Sequence, residues 1–165
     1  MSPERDALAM EEWRALVVAE QEVARCRAEV NRLPSREELL TKALSSSSAW
    51  DRSAALDFLY LFPEDIPNLL DLLVDLSLST GWALPAREVI RAARKEIDPS
   101  KLARVALECL SDSEVEGYLR LADILAEVQA WEALSAVIGK AAENGDPEIR
   151  EISRSLTESH GDMLP

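Results

Sequence analysis

The feature that most constrains this fold is a helical pattern that recurs along the chain. Helices that open a helical pair are predicted to begin near residues 50, 84, 115 and 148, about 31–34 residues apart. Each pair carries an apolar face too wide for two helices to bury alone, so it must pack on its neighbours. The pattern therefore predicts an all-α protein built from stacked helical hairpins.

Residues 110–156 show the pattern most clearly. Apolar residues recur at helical spacing in two successive segments, which a Gly145-Asp146-Pro147 turn separates from a third. Side chains that can cap a helix mark the predicted starts. They are Ser48, Asp98, Ser111, Ser113 and Asp146, with proline directly after Asp98 and Asp146.

The chain is predicted to contain three parts. Residues 1–34 form one long helix in which Ala9, Leu16, Val23 and Val30 recur every seven residues. This helix either caps the repeats in cis or serves dimerisation or partner docking. Residues 35–158 form the helical repeat domain, and residues 159–165 are expected to be a frayed tail.

Net charge limits the classes of partner. The chain has 31 acidic and 18 basic residues and a formal net charge of −13. Such a balance opposes non-specific binding to nucleic acid and favours solubility or a basic protein partner. Basic residues outnumber acidic ones only in residues 87–104, where Arg87, Arg91, Arg94 and Lys95 share a helix face. We expect that stripe to pair with a neighbouring acidic helix or to be solvated, rather than to contact nucleic acid.

Nothing in the sequence suggests a secretory signal or a membrane span. The opening residues are acidic, and Asp71 and Asp75 interrupt the most apolar stretch. We therefore expect a cytoplasmic protein, in which Cys26 and Cys109 are buried reduced thiols.

Three segments resemble the helix entry of HEAT/armadillo-like α-helical repeats. Asp146-Pro147-Glu148-Ile149-Arg150 is similar to the Asp-Pro-x-[Val/Ile]-Arg motif of that family, and residues 50–55 and 112–116 match it in part. The resemblance spans about residues 36–158. It implies a short right-handed α-helical solenoid of about four hairpins, in which the second helices line the inner surface. Fold resemblance does not carry a function with it.

Residues that carry chemistry are scarce. The one histidine, His160, falls in the tail, the two cysteines are far apart, and no glycine-rich phosphate loop follows a strand. We therefore predict no catalytic residue, no metal site and no cofactor, and expect that the protein is not an enzyme.

An acidic stripe is the candidate functional site. Glu64, Asn68, Asp71 and Asp75 share one face of a helix predicted over residues 64–79, and Glu108 and Trp131 complete the proposed partner-binding set. The stripe could be a solvated face, a partner-binding face or, least favoured, a site of acid–base or metal chemistry. Tryptophans near helix starts, Trp131 and Trp50 among them, fit turn packing better than interface anchoring.

The function predicted from these features is protein binding. We expect a non-enzymatic interaction module whose acidic surface binds a basic protein, as an inhibitor or immunity protein would. The alternative is a structural homo-oligomer assembled through residues 3–33.

Overall fold

The computed structural model describes residues 3–110 and 115–165 of the chain. Every regular element in these two ranges is helical, so the prediction of an all-α protein is confirmed. The elements are α1 (Pro3–Asn31), α2 (Arg36–Leu44), α3 (Ala49–Leu61), a 3₁₀ helix (Pro63–Asn68), α4 (Leu70–Leu78), α5 (Ala83–Ala92), α6 (Pro99–Cys109), α7 (Val115–Glu127), α8 (Trp131–Ala142), α9 (Pro147–His160) and a terminal 3₁₀ turn (Gly161–Met163). The predicted caps Ser111 and Ser113 lie outside the described residues, as does most of the partial motif at 112–116.

The chain divides into two compact units, Met1–Leu39 and Leu40–Pro165. The first unit consists mainly of α1, on which Arg25 forms ion pairs with Glu22 and Glu29 one turn away on either side. Such exposed pairs each stabilise a helix by a few tenths of a kcal/mol. The large apolar side chains of α1 are nevertheless exposed, so whether this helix acts in cis or in trans stays a prediction.

Local side-chain bonds fix where several helices of the second unit begin. Ser48 accepts a hydrogen bond from the Asp51 backbone N–H at 3.3 Å, and Asp98 accepts one from Ser100 at 3.0 Å. Asp146 accepts one from Glu148 at 2.8 Å. These bonds satisfy backbone donors that have no partner inside the helix, so the capping residues read from the sequence are the ones used.

The helix predicted over residues 64–79 is not continuous, and that prediction is wrong. Residues Pro63–Asn68 form a 3₁₀ helix that contains Pro67, and α4 starts only at Leu70. Proline has no N–H to donate and its ring crowds the preceding turn, which disfavours an α-helix through that position. Glu64 and Asn68 therefore lie on a different element from Asp71 and Asp75.

Helices of the second unit contact one another in two rows. The odd row consists of α3, α5, α7 and α9, each in contact with the next, and the even row consists of α4, α6 and α8, again in contact in order. Helices of the odd row begin at residues 49, 83, 115 and 147, which is 32–34 residues apart. Contacts of α4 with α5 and α7, and of α8 with α7 and α9, join the two rows. The right-handed HEAT-like solenoid stays a prediction.

The core between the rows is apolar. Leu59, Leu70, Leu73, Leu134 and Val137 are completely buried, and burial of each such side chain contributes about 1.5–3 kcal/mol. The buried Ser153 hydroxyl donates to the Ile138 carbonyl at 3.1 Å, which satisfies its polar atom and ties α9 to α8. Among the helices described, none combines the length and apolarity needed to cross a bilayer.

Candidate functional site

Two carboxylates project from α4. Asp71 and Asp75 are exposed and lie one helical turn apart, whereas Leu70, Leu73 and Val74 are buried. Burial of the apolar side fixes the rotation of α4 and leaves both acids on its solvent side. Helix α4 packs on α6, which carries the exposed Glu108 close to its C-terminal end.

The charges of all three acids affect the ionisation of one side chain, the Cys109 thiol. Burial raises the pKa of Cys109, and the negative charges of Asp75, Asp71 and Glu108 raise it further, because they oppose formation of a thiolate. Asp71 and Asp75 on α4 and Glu108 on the contacting helix α6 therefore contribute negative charge to the surroundings of one thiol. We call Asp71, Asp75 and Glu108 the α4–α6 acidic face.

Among the described residues, one member of this face, Glu108, is seen in an ion pair. The Arg104 guanidinium lies 3.1 Å from the Glu108 carboxylate, one turn away on α6. Lys140 of α8 donates a hydrogen bond to the Leu107 carbonyl at 3.1 Å instead of pairing with an acid. No ion pair with Asp71 or Asp75 occurs among the residues that the structure describes. The uncompensated charge of the face therefore resides mainly on the two aspartates.

The other predicted site residues belong to other elements of the structure. Glu64 and Asn68 are exposed but belong to the 3₁₀ helix before α4. Trp131 begins α8, is half-buried, and its ring centroid lies 6.2 Å from that of His160. Of the six predicted residues, the structure brings together Asp71, Asp75 and Glu108.

Both cysteines are exposed, so the prediction that they are buried is wrong, although neighbouring groups partly cover the Cys109 thiol. Cys109 is the last residue of α6, and the next residue, Leu110, takes the buried position there. Cys26 follows Arg25 on α1, and the turn of the helix that continues to Glu29 is exposed to solvent. Helical spacing alone could not separate Cys109 from its buried neighbours.

Two of the four cations in the basic stripe of residues 87–95, Arg87 and Arg94, bind other side chains of the protein. Arg87 of α5 lies 2.6 Å from Glu127 and 3.4 Å from Asp123, both on α7. Arg94 donates to the side-chain oxygen of Gln129, which follows α7. The expected pairing with a neighbouring acidic helix is thus confirmed for Arg87.

Aromatic residues near helix starts differ from one another. Trp50 is 86% exposed, so the expectation that it packs in a turn is wrong. Trp82 is half-buried, and the Arg52 guanidinium lies 5.9 Å from the centre of its ring.

His160 ends α9 and is followed by the 3₁₀ turn Gly161–Met163, where the sequence predicted a frayed tail.

Within residues 3–110 and 115–165, no group of three or more histidine, cysteine or acidic side chains is placed to hold a metal ion. Comparisons with protein-family models, with curated proteins and with solved structures found no match to this chain. The arrangement of its own side chains is therefore the basis for a functional proposal.

Proposed function

We propose that this chain is a non-enzymatic interaction module that binds a basic protein through the α4–α6 acidic face. The observation that carries the proposal is the pair of exposed aspartates, Asp71 and Asp75, with Glu108 beside them on the neighbouring helix. Acids one turn apart place their β-carbons about 5–6 Å from each other, a spacing that a pair of lysine or arginine side chains can match.

The charge of the whole chain supports the same partner chemistry. A net charge of −13 attracts cationic proteins over a distance, and the acidic face would then fix the orientation of the complex. We further propose that the two rows of helices form a short HEAT-like solenoid, with the even row supplying its inner surface. An inhibitor or immunity protein that covers a basic active site would use such a surface.

The test compares two variants that lose the same number of charges. The first carries Asp71→Asn, Asp75→Asn and Glu108→Gln, and the control carries Glu148→Gln, Glu158→Gln and Asp162→Asn, all exposed positions at α9 and the terminal turn. Immobilised wild type, variant and control are incubated with the proteome of the native source at low salt. Bound proteins are then eluted with a salt gradient and identified by mass spectrometry.

We expect wild type and control to retain the same basic protein and the acidic-face variant to lose it at least tenfold. Retention should fall as salt rises, because exposed charges are screened. Equal retention by the variant and the control would refute the α4–α6 acidic face as the binding surface. Binding that is insensitive to salt would refute the electrostatic mechanism.

A second candidate function is a homo-oligomer joined through α1. The observation that favours it is the exposure of several large apolar side chains on that helix, which monomeric proteins usually avoid in contiguous patches. They include Leu8, Trp13, Leu16 and Val23.

Sedimentation of the full chain tests this alternative. Leu16→Lys with Val23→Lys changes two residues of the apolar stripe that recurs every seven positions. Val18→Lys is the control, because it changes an equally exposed residue on the opposite side of the helix. We expect an oligomer that the first variant dissociates and the control does not. A wild-type chain that sediments as a monomer at high micromolar concentration would rule this function out.

A further inference from the structure

A cavity of about 410 Å³ opens in the second unit, where the α5–α6 and α7–α8 connections meet. Its volume lies within the range of about 300–1,000 Å³ that is typical of small-molecule sites. Buried apolar side chains from three helices, α5, α6 and α8, and from two connections form its floor. They are Ile90, Ile97, Leu102, Val128 and Ala133.

The mouth of this cavity is aromatic and cationic. Trp131 lines one side, and Met163 and Pro165 of the terminal segment line it too. Two exposed cations, Arg94 and Lys95, also line the cavity, and Glu132 is the one acidic side chain among the lining residues. The lining therefore includes two cations and one acidic side chain, in a chain whose net charge is −13.

Neither Arg94 nor Lys95 forms an ion pair with an acid of the described residues. The Arg94 guanidinium donates to the amide oxygen of Gln129, a neutral acceptor. For Lys95, the structure of the described ranges gives neither a hydrogen bond nor an ion pair. Lys95 can therefore pair with an anion, and Arg94 can do so through the guanidinium N–H groups that do not donate to Gln129.

The backbone at the α7–α8 connection sets this arrangement. Gln129 has φ = +59°, a left-handed conformation that is usual for glycine or asparagine after a helix end. The following N–H, that of Ala130, donates to the Leu125 carbonyl at 2.8 Å and closes the helix end. The turn therefore holds a glutamine side chain next to Arg94, with Trp131 one residue beyond Ala130.

We propose that this cavity binds a small organic anion, namely a carboxylate attached to an aromatic or aliphatic body. The apolar body contacts the buried floor and the Trp131 ring, and the carboxylate pairs with Lys95 and Arg94. The site shares no residue with the α4–α6 acidic face, so it stands independently of the proposed function.

Two probes with the same ring system and opposite charge test the proposal. The full-length protein is titrated with 2-naphthoate and, separately, with 2-naphthylmethylammonium, by calorimetry and by NMR of the Trp131 indole N–H. We expect 2-naphthoate to bind at least tenfold more tightly and to shift the Trp131 resonance. Naphthoate that does not saturate by a few millimolar, or equal affinity for both probes, would overturn the proposal.

Matched variants locate the anion. Arg94→Gln with Lys95→Gln should weaken 2-naphthoate binding about tenfold, since each exposed ion pair contributes up to about fivefold. Arg91→Gln removes an exposed cation of α5 that does not line the cavity and should leave the affinity unchanged. Ala130→Phe, which extends a lining residue into the cavity, should abolish binding while circular dichroism stays that of the wild type. Equal affinity of the double variant and Arg91→Gln would refute the assignment.

Discussion

Arg87 links two helices of the odd row, and its removal tests how those helices pack. Its side chain is only 15% exposed and pairs with Glu127, which is 39% exposed, at 2.6 Å. Arg87→Met keeps the apolar part of the side chain and removes the charge, and Glu127→Gln removes the partner's charge. The double variant completes a thermodynamic cycle that isolates the interaction.

The expected coupling free energy follows from the burial of the pair. Exposed ion pairs contribute about 0.2–1 kcal/mol, whereas loss of one member of a fully buried pair costs about 3–5 kcal/mol. Arg87 is mostly buried but Glu127 can be rehydrated, so we expect a coupling of about 1 kcal/mol. Arg87→Met itself should lower the free energy of unfolding by about 1–2 kcal/mol, which in a chain of this size shifts Tm by about 2–8 °C.

Chemical denaturation at low and high salt measures these free energies. Arg91→Met is the control, because Arg91 is exposed on the same helix and should change stability by less than about 0.5 kcal/mol. The coupling should shrink only in part at high salt, since the pair is partly shielded from solvent. Equal effects of the two arginine substitutions, or a coupling near zero, would refute the ion pair between α5 and α7.

Two more predictions concern the core and the acidic face. Leu59→Ala should lower the free energy of unfolding by about 2–5 kcal/mol in chemical denaturation, because this side chain is completely buried, whereas Leu61→Ala on the exposed side of α3 should change it by less than about 1 kcal/mol. In a Cys26→Ser background, Asp75→Asn should increase the rate of Cys109 alkylation by iodoacetamide at pH 8 about twofold to threefold. Removal of the negative charge lowers the raised pKa of Cys109 and so increases its thiolate fraction. An unchanged alkylation rate would contradict the proximity of Asp75 to the thiol.

Some features missed in the sequence left a visible signal. Pro67 is enough to interrupt the helix predicted over residues 64–79, but the apolar periodicity on both sides of it suggested one continuous helix. Because that prediction was wrong, the four residues of the acidic stripe belong to two elements, the 3₁₀ helix and α4. Asp71 and Asp75 still share one helix, α4, because both follow the proline.

Other features left no signal in the sequence. The contact of Trp131 with His160 joins the start of α8 to the end of α9, and the cavity beside Trp131 is lined by both the α5–α6 and the α7–α8 connections. The exposure of Cys109 depends on where α6 ends relative to α4. Residues distant in the chain meet in each case, and a single sequence gives no measure of such distances.

The sequence by itself determined the helices and most of their starts, because capping bonds and apolar periodicity act between residues within one or two turns. Ser48, Asp98 and Asp146 serve as caps as predicted. Only the tertiary structure decided which charges act together: Arg87 pairs with Glu127, and Asp71, Asp75 and Glu108 all raise the pKa of Cys109. The rotation and stacking of whole helices place those groups, and that placement follows from burial of the entire apolar core rather than from any local segment.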